Sequence, residues 1–439
     1  MRLRVGLWMA VGLMGIHGGF AQGPRPEAPA SLPREVAGIP VNYDEGKVGT
    51  YTLPDPLVLN DGKPVKDAKT WTMRRRPEIV RILEAQQFGV EPGRPKGERF
   101  EVVEKGTEAL RGKAVRRRVE IHLLANKTAP VIHLVEYLPA AVKRPVPMLL
   151  TISFTAPSSM VDDPGLPEGE IWDAKTKAKV PAKTGREFGK IDVAAFLDAG
   201  IGVATFYYGD VEPDYAEGFS QGVRRFYLKK RTRGPEEWGS IAAWAWGMSR
   251  VEDYFETDKS VDAKRVAIHG VSRLGKTVMW AGAQDERFAA VIASCSGEGG
   301  AALSHRDYGE TIAHLTAPSR YPYQFAENFG KWAGFPDKAP MDAHMLVALI
   351  APRPVLLQTG TTDFWSDPKG EFLAAVAAEP VYRLLGKEGL GLGPDGWPEA
   401  KTPVFHDIGY YMHDGGHGMV PGDWQVYVEF LTAHLHPER

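Results

Sequence analysis

Two hydrophobic patterns follow each other along the chain. Apolar and polar residues first alternate in three runs, which is typical of strands with one buried face. Continuous apolar runs then alternate with segments of helical spacing, which is typical of strands buried on both faces. The first pattern predicts antiparallel edge strands at Arg99–Val103, Ala114–Leu124 and Val131–Leu138, and the second predicts central strands at Met148–Phe154, Ile201–Tyr207, Val266–Ile268, Ala289–Ser294, Pro354–Thr359 and Pro403–Ile408.

Segments between these strands carry apolar residues at helical spacing. They predict helices at Arg76–Gln87, Ile191–Asp198, Pro235–Glu256, Met341–Ala351 and Trp424–Leu435. Strands that alternate with helices predict an α/β fold with a mainly parallel, doubly wound sheet and helices on both faces. We interpret 22–90, which is rich in proline and glycine, as an N-terminal extension that wraps the main domain, 91–439, in which 304–338 is an irregular aromatic insertion.

The first residues predict a secretory signal peptide over 1–21. Arg2 and Arg4 precede an apolar run from Val5 to Ile16, and small residues then lead to a cleavage site after Ala21. We therefore expect a secreted or periplasmic protein that has no membrane contact after cleavage. The formal net charge of -2 gives no electrostatic reason to expect nucleic acid as a partner. A single cysteine excludes both an intrachain disulfide and a cysteine-rich zinc site.

A serine lies at the turn between the strand Val266–Ile268 and a helical segment. The turn reads Gly270-Val-Ser272-Arg273-Leu-Gly275, and its small residues permit a sharp reversal that exposes the serine hydroxyl. Such a turn is typical of the nucleophile elbow of the α/β-hydrolase fold. The second glycine comes one residue later than in the usual Gly-x-Ser-x-Gly motif, so an incidental serine in a strand-turn-helix stays open as an alternative.

A serine nucleophile needs a histidine base, which in this fold follows the last strand. His417 is our candidate, because it lies in a glycine-rich stretch after Pro403–Ile408. His413, four residues earlier, is the close alternative and is otherwise a polar loop residue. His406 falls within the predicted strand, where a structural role is expected.

The third member of such a triad is a carboxylate between the serine and the histidine in sequence. Asp363 is preferred, because it follows the strand Pro354–Thr359 directly. Asp367 precedes a proline and is interpreted as a turn-forming residue. Glu298, in the turn after the strand Ala289–Ser294, is the alternative acid.

Two cations flank the serine. The Arg273 guanidinium can donate to an oxyanion beside the serine. Lys276 lies four residues after Ser272, on the same face of the helical segment, where it could bind a hydroxyl-rich or anionic substrate. Taken alone, such a pair is more often a pair of solvated surface charges, but a neighbouring serine nucleophile favours a role in the site.

Around Ser272 the sequence resembles the Gly-Cys-Ser-Arg-x-Gly-Lys motif of the glucuronoyl esterases, carbohydrate esterase family fifteen. Here the motif reads Gly270-Val-Ser272-Arg273-Leu-Gly275-Lys276, and the late glycine is part of that family's pattern. The resemblance extends from about Arg74 onward and is closest to the bacterial branch. Further matching stretches are Tyr207–Asp210, Glu237–Gly247, Trp280–Phe288, Gly309–Thr311, Asp363–Gly370 and the pair Asp423-Trp424 after His417.

The resemblance implies an α/β-hydrolase fold and a serine esterase that acts on esters of glucuronic or 4-O-methyl-glucuronic acid, as in links between glucuronoxylan and lignin. It implies Ser272 as nucleophile, His417 as base and Arg273 in the oxyanion hole, without a metal or cofactor. It also implies that Lys276, Glu310 and Trp365 bind the sugar hydroxyls. We expect glucuronoxylan or a lignin–carbohydrate ester as the partner of a monomeric enzyme.

One departure from the family pattern concerns the acid. The fungal branch has a glutamate directly before its Ser-Gly-x-Gly-Gly turn, and Cys295 stands at that position here. A cysteine cannot supply the carboxylate, so the acid is expected from Asp363, as in bacterial relatives. The alternatives to this function are a carbohydrate deacetylase on the same fold, such as an acetyl-xylan esterase, and a non-catalytic carbohydrate-binding protein.

Overall fold

A ten-stranded sheet forms the centre of the molecule, which a computed structural model describes over residues 27–184, 189–228 and 234–436. The predicted signal peptide lies outside the described residues. The strands are β1 (Glu35–Val36), β2 (Ile39–Pro40), β3 (Arg99–Ala109), β4 (Ala114–His122), β5 (Val131–Pro139), β6 (Val146–Ser153), β7 (Glu170–Asp173), β8 (Ala178–Pro181), β9 (Gly202–Tyr207), β10 (Val261–Val271), β11 (Ala290–Ser294), β12 (Val355–Gly360), β13 (Val404–Phe405) and β14 (Ile408–His413).

In the large sheet the strand order is β13-β14-β12-β11-β10-β6-β9-β5-β4-β3. The six strands from β14 to β9 are parallel to their neighbours, while β13, β5, β4 and β3 pair antiparallel at the two ends. β1 pairs with β2 and β7 with β8 in two small hairpins. The predicted, mainly parallel sheet with antiparallel edge strands is thereby confirmed.

Helices cover both faces of this sheet. They are α1 (Ala68–Thr70), α2 (Arg76–Leu83), α3 (Pro157–Met160), α4 (Val193–Asp198), α5 (Ser240–Phe255), α6 (Arg273–Gln284), α7 (Ile312–Thr316), α8 (Ala343–Ala348), α9 (Pro368–Leu384) and α10 (Asp423–Leu435). Successive residues of β10 point to opposite faces, so Val266 and Ile268 pack in the core with α5, α6, α8 and α9, whereas Ala267 packs in the core with α4 and α10. Continuous apolar strands are the consequence of this two-sided burial.

The last predicted strand is wrong by about five residues. Val404 and Phe405 form only the short edge strand β13, and the parallel strand β14 begins at Ile408. A hairpin through His406 and Asp407 separates the two, and the alternation of the sequence does not distinguish such a hairpin from one continuous strand. His413 is therefore the last residue of a buried strand and not a loop residue.

The N-terminal segment from Ala28 to Phe88 packs along the rest of the chain through backbone and side-chain contacts. The Gln87 side chain donates to the carbonyl of Gly299 (2.8 Å), and Arg76 donates to the carbonyl of Ala283 (2.6 Å). The insertion over 304–338 contains α7 and three short 3₁₀ turns. Within the described ranges, no helix combines the length and apolar character needed to cross a bilayer.

Candidate active site

Ser272 lies between β10 and α6 in a strained backbone conformation (φ 59°, ψ −127°). Glycine at 270 is required, because a Cβ there would lie 2.3 Å from the carbonyl oxygen of Leu274 in the first turn of α6. Glycine at 275 is favoured for a similar reason, because a Cβ there would lie 3.0 Å from both the Ser294 carbonyl oxygen and the Ser296 Cβ. The late glycine of the motif thus lets α6 pass close to the end of β11.

Side chains after two other strands meet beside this turn. Asp363 follows β12, and His417 follows β14, and these strands pair in parallel with Gly360 opposite His413. The Nδ1 atom of His417 lies 2.8 Å from Oδ2 of Asp363 and 3.1 Å from Oγ of Ser366. Asp363 is buried, whereas the His417 side chain is 29% exposed and lines a cavity together with Ser272. A serine, a histidine and a carboxylate are therefore brought to one edge of the sheet.

Neither alternative acid contacts His417. Glu298 is buried and accepts a hydrogen bond from the Ser304 hydroxyl (2.6 Å), and burial raises the pKa of its carboxyl well above the usual value. Asp367 accepts from the Gly370 N–H (3.0 Å) as the N-cap of α9 and from Arg306 (2.8 Å). The preference for Asp363 agrees with this geometry, and the capping contact of Asp367 accounts for its place before Pro368.

His413 is occupied by structural contacts. Its Nδ1 lies 3.0 Å from Oδ2 of Asp423, and its Nε2 lies 2.9 Å from the carbonyl oxygen of Gly416. Asp423 also accepts from the Val420 N–H (2.8 Å), so the pair connects both ends of the loop that carries His417. His406 lies in the β13–β14 hairpin, and its Nδ1 lies 2.9 Å from the carbonyl oxygen of Leu390.

Cys295 is buried beside the histidine–carboxylate pair. Ligand-type atoms of Cys295, Asp363 and His417 all lie within 4.8 Å of one another, and the thiol lies 3.4 Å from the carbonyl oxygen of Gly418. Burial and the negative charge of Asp363 raise the pKa of the thiol well above its usual value. A protonated, buried thiol is a poor nucleophile, which agrees with a packing role for Cys295.

Arg273 is fixed in place beside Ser272. Its Nη1 donates to Oδ2 of Asp214 (2.6 Å), and its guanidinium carbon lies 4.5 Å from the centre of the Tyr321 ring. Burial lowers the pKa of Arg273, but Asp214, Tyr208 and Tyr321 together outweigh this effect and raise the pKa overall. The side chain therefore carries a permanent positive charge at the cavity wall.

The cavity beside Ser272 has a volume of about 230 Å³ and contains all three predicted sugar-binding residues. Lys276 is buried and donates to the carbonyl of Ser296 (2.6 Å), and burial lowers the pKa of its amine. The Glu310 N–H donates to the carbonyl of Trp365 (2.8 Å), which holds these two residues together. An ammonium group, a carboxylate and an indole thus line the cavity.

Several residues of this site were not identified from the sequence. Arg320 donates to Oε1 of Glu310 (2.8 Å), and its guanidinium carbon lies 5.5 Å from the Trp365 ring centre. Arg320, Tyr321 and Gln324 belong to the insertion, whose irregular sequence gave no periodicity from which their position could be predicted. The remaining lining residues are Leu315, Cys295 and Ser366.

Comparison with known proteins identifies relatives of this chain. A family model described as glucuronyl esterase, fungi, matches residues 170–386. The carbohydrate esterase MZ0003 of an unknown prokaryotic organism is 43% identical over 404 residues, which cover 90% of this chain and 92% of that protein. The solved glucuronoyl esterase from Solibacter usitatus is 44% identical, with a TM-score of 0.84 over 89% of this chain and 100% of that one. The chain belongs to the glucuronoyl esterase family.

Membership in the glucuronoyl esterase family confirms the resemblance found in the sequence. A promiscuous esterase of carbohydrate esterase family 15 from a marine bacterial metagenome is also similar, with 42% identity and a TM-score of 0.80 over 90% of this chain and 100% of that one. Bacterial glucuronoyl esterases are therefore similar to this chain in both sequence and fold. This similarity confirms the predicted α/β-hydrolase fold and the assignment to the bacterial branch.

Proposed function

We propose that this protein is a serine esterase that hydrolyses esters of glucuronic and 4-O-methyl-glucuronic acid. One observation carries the proposal. The pair His417–Asp363 opens onto the same cavity as Ser272, and that cavity is lined by Lys276 and Glu310. The pair supplies a base for the serine, and the charged wall supplies partners for sugar hydroxyls.

Ser272 is assigned as the nucleophile. His417 takes the serine proton as the hydroxyl attacks the C6 carbonyl of the ester, and Asp363 holds the histidine tautomer and stabilises the imidazolium. The negative charge that develops on the carbonyl oxygen is stabilised by the Arg273 guanidinium and by the backbone N–H after the serine, at the positive N-terminus of α6. His417 then protonates the leaving alcohol, and a glucuronoyl-enzyme is formed.

Water completes the reaction by the same route. His417 removes a proton from the water as it attacks the glucuronoyl carbonyl, and Arg273 again stabilises the oxyanion. The serine leaves with the proton that His417 returns, and glucuronate is released.

Sugar recognition is assigned to Lys276, Glu310 and Trp365, which line the same cavity. The Lys276 ammonium has three donors, so its contact with Ser296 leaves donors for sugar oxygens. A carboxylate accepts several hydrogen bonds, so Glu310 can accept from a vicinal diol while it binds Arg320. The Trp365 indole offers one donor and an apolar surface to the sugar ring.

The natural partner is proposed to be glucuronoxylan or a lignin–carbohydrate ester outside the cytoplasm. The pattern of Arg2, Arg4 and the apolar run that follows supports export through a signal peptide. We further propose that the enzyme acts as a monomer.

A paired assay tests this function. Purified protein is given benzyl glucuronate and, separately, acetylated xylan, with Ser272→Ala as the control. The proposal predicts benzyl alcohol release that is lost in the variant. Acetate release without benzyl alcohol release would contradict the glucuronate assignment and would leave the roles given to Lys276 and Glu310 without support.

A wider substrate range is the second candidate. The observation that favours it is the 42% identity to the promiscuous marine esterase. Hydrolysis of both substrates, each abolished by Ser272→Ala, would support this candidate, and Lys276→Met would then lower activity on the glucuronate ester alone.

A further inference from the structure

Asp214 binds the guanidinium that flanks the nucleophile and also receives hydrogen bonds from two other parts of the chain. Its Oδ2 accepts from Arg273 (2.6 Å) and from the Tyr208 hydroxyl (3.1 Å), and its Oδ1 accepts from the Tyr323 hydroxyl (2.9 Å) and the Gln324 amide (2.8 Å). The carboxylate is 8% exposed. Four donors on one buried carboxylate leave it little freedom of orientation.

The donors come from separate segments. Tyr208 follows β9, Arg273 begins α6, and Tyr323 and Gln324 belong to the aromatic insertion. Tyr321 of the same insertion places its ring 4.5 Å from the Arg273 guanidinium carbon. The insertion therefore holds Arg273 directly through Tyr321 and indirectly through Asp214.

A donor stabilises an oxyanion best when it is already in place before the charge develops. An unrestrained arginine loses rotamer freedom when it is fixed, and here Asp214 and Tyr321 fix it in the resting enzyme. Asp214 also supplies the counter-charge that a largely buried guanidinium requires.

We propose that Asp214 is a positioning residue that acts through Arg273, and that the insertion over 304–338 completes the oxyanion site by holding both residues. This inference rests on the proposed role of Arg273. Asp214 is not among the residues that line the cavity, so its effect on catalysis is expected in kcat and only weakly in KM.

A double-mutant cycle tests the inference. The kcat and KM values of wild type, Asp214→Asn, Arg273→Gln and the double variant are measured on benzyl glucuronate and on p-nitrophenyl acetate. We expect Arg273→Gln to lower kcat by roughly 100-fold, the usual loss for one oxyanion donor. In the wild-type background, Asp214→Asn should lower kcat by roughly tenfold or more and change KM by less than about threefold. In the Arg273→Gln background, the same substitution should lower kcat by less than about twofold, because the effects of coupled residues are not additive.

Asp210→Asn is the matched control. Asp210 lies in the same loop, is also 8% exposed and accepts from a neighbouring residue, His133, but does not contact Arg273. We expect its kcat to stay within about twofold of the wild type. Thermal unfolding adds a second readout, since Arg273→Gln leaves the Asp214 charge buried without its cation and should lower Tm, which Asp214→Asn should partly restore.

An equal loss from Asp214→Asn in both backgrounds would overturn the inference, and so would a loss confined to KM. If Asp214→Asn does not fold, Tyr323→Phe replaces it, with a few-fold loss of kcat that must vanish in the Arg273→Gln background. The acetate ester separates this inference from the proposed function. Coupling on p-nitrophenyl acetate without any turnover of benzyl glucuronate would keep the role of Asp214 and reject the glucuronate assignment.

Discussion

Replacing the proposed triad acid by its amide is the most informative change at the site. Asp363→Asn keeps the size of the side chain, but removes the charge that lies 2.8 Å from Nδ1 of His417. Two unit charges about 4 Å apart interact by about 4 kcal/mol at the effective dielectric of a partly buried site. His417 becomes charged in the transition state, and in the Asp363→Asn variant this charge is no longer stabilised by a carboxylate. The loss corresponds to about a 10³-fold lower kcat.

A second effect has the same direction. The amide can donate to Nδ1 and so favour the wrong tautomer of His417, which in serine hydrolases brings the loss in kcat to about 10⁴-fold. The loss in kcat is measured as the rate of benzyl alcohol release from benzyl glucuronate, by stopped-flow or steady-state kinetics. Because Asp363 does not line the cavity, KM should change by less than about threefold.

Glu298→Gln is the matched control for this prediction. Glu298 is equally buried but binds Ser304 and not His417, so its amide should lower kcat by less than about tenfold. Circular dichroism establishes that both variants are folded. A larger loss of kcat in Glu298→Gln than in Asp363→Asn would refute the assignment of the acid.

Three further changes test other parts of the account. Lys276→Met should raise KM for benzyl glucuronate roughly 10- to 100-fold, since a charge-assisted hydrogen bond contributes about 1.5–3 kcal/mol. The same substitution should change kcat and KM on p-nitrophenyl acetate by less than about twofold. Equal effects on both esters would contradict a contact between Lys276 and the sugar. His413→Gln should lower the free energy of unfolding in urea by about 1–3 kcal/mol, because its buried contacts with Asp423 and Gly416 are broken, and unchanged stability would contradict its structural role. Burial raises the pKa of Glu252 to about 9, so the folded state binds more protons than the unfolded state above the usual value of 4.5, and stability falls as pH rises through this window. Glu252→Gln should remove that contribution, so urea unfolding at about pH 6 and about pH 8 should show a smaller loss than in the wild type; an identical loss would contradict it.

Local features of the fold could be predicted because they depend on neighbours in the sequence. Glycine at 270 is required by its contact with Leu274, and glycine at 275 is favoured by its close approach to the end of β11; both glycines are visible in the motif. Apolar strands between helices follow from burial on both faces of the sheet. The elbow and the parallel sheet were therefore accessible from the sequence.

Features that depend on distant parts of the chain were not accessible in the same way. Arg320 and Asp214 join the site through an irregular insertion and a long loop, and neither segment carries a periodic pattern. His413 was placed in a loop, because the β13–β14 hairpin was not distinguished from one continuous strand. The choice between Asp363 and Glu298 needed the distance to His417, which no spacing along the chain provides.

Labelling with a fluorophosphonate tests whether Ser272 is the activated nucleophile of a glucuronate-binding cavity. The reagent bonds to an activated serine, and peptide mapping then locates it, with and without glucuronate present. We expect a label on Ser272 alone. Glucuronate should slow this labelling and xylose should not, and Asp363→Asn should slow it as well. A label on another residue, or a rate on Ser272 that glucuronate leaves unchanged, would contradict the claim that this serine is the activated nucleophile of a glucuronate-binding cavity.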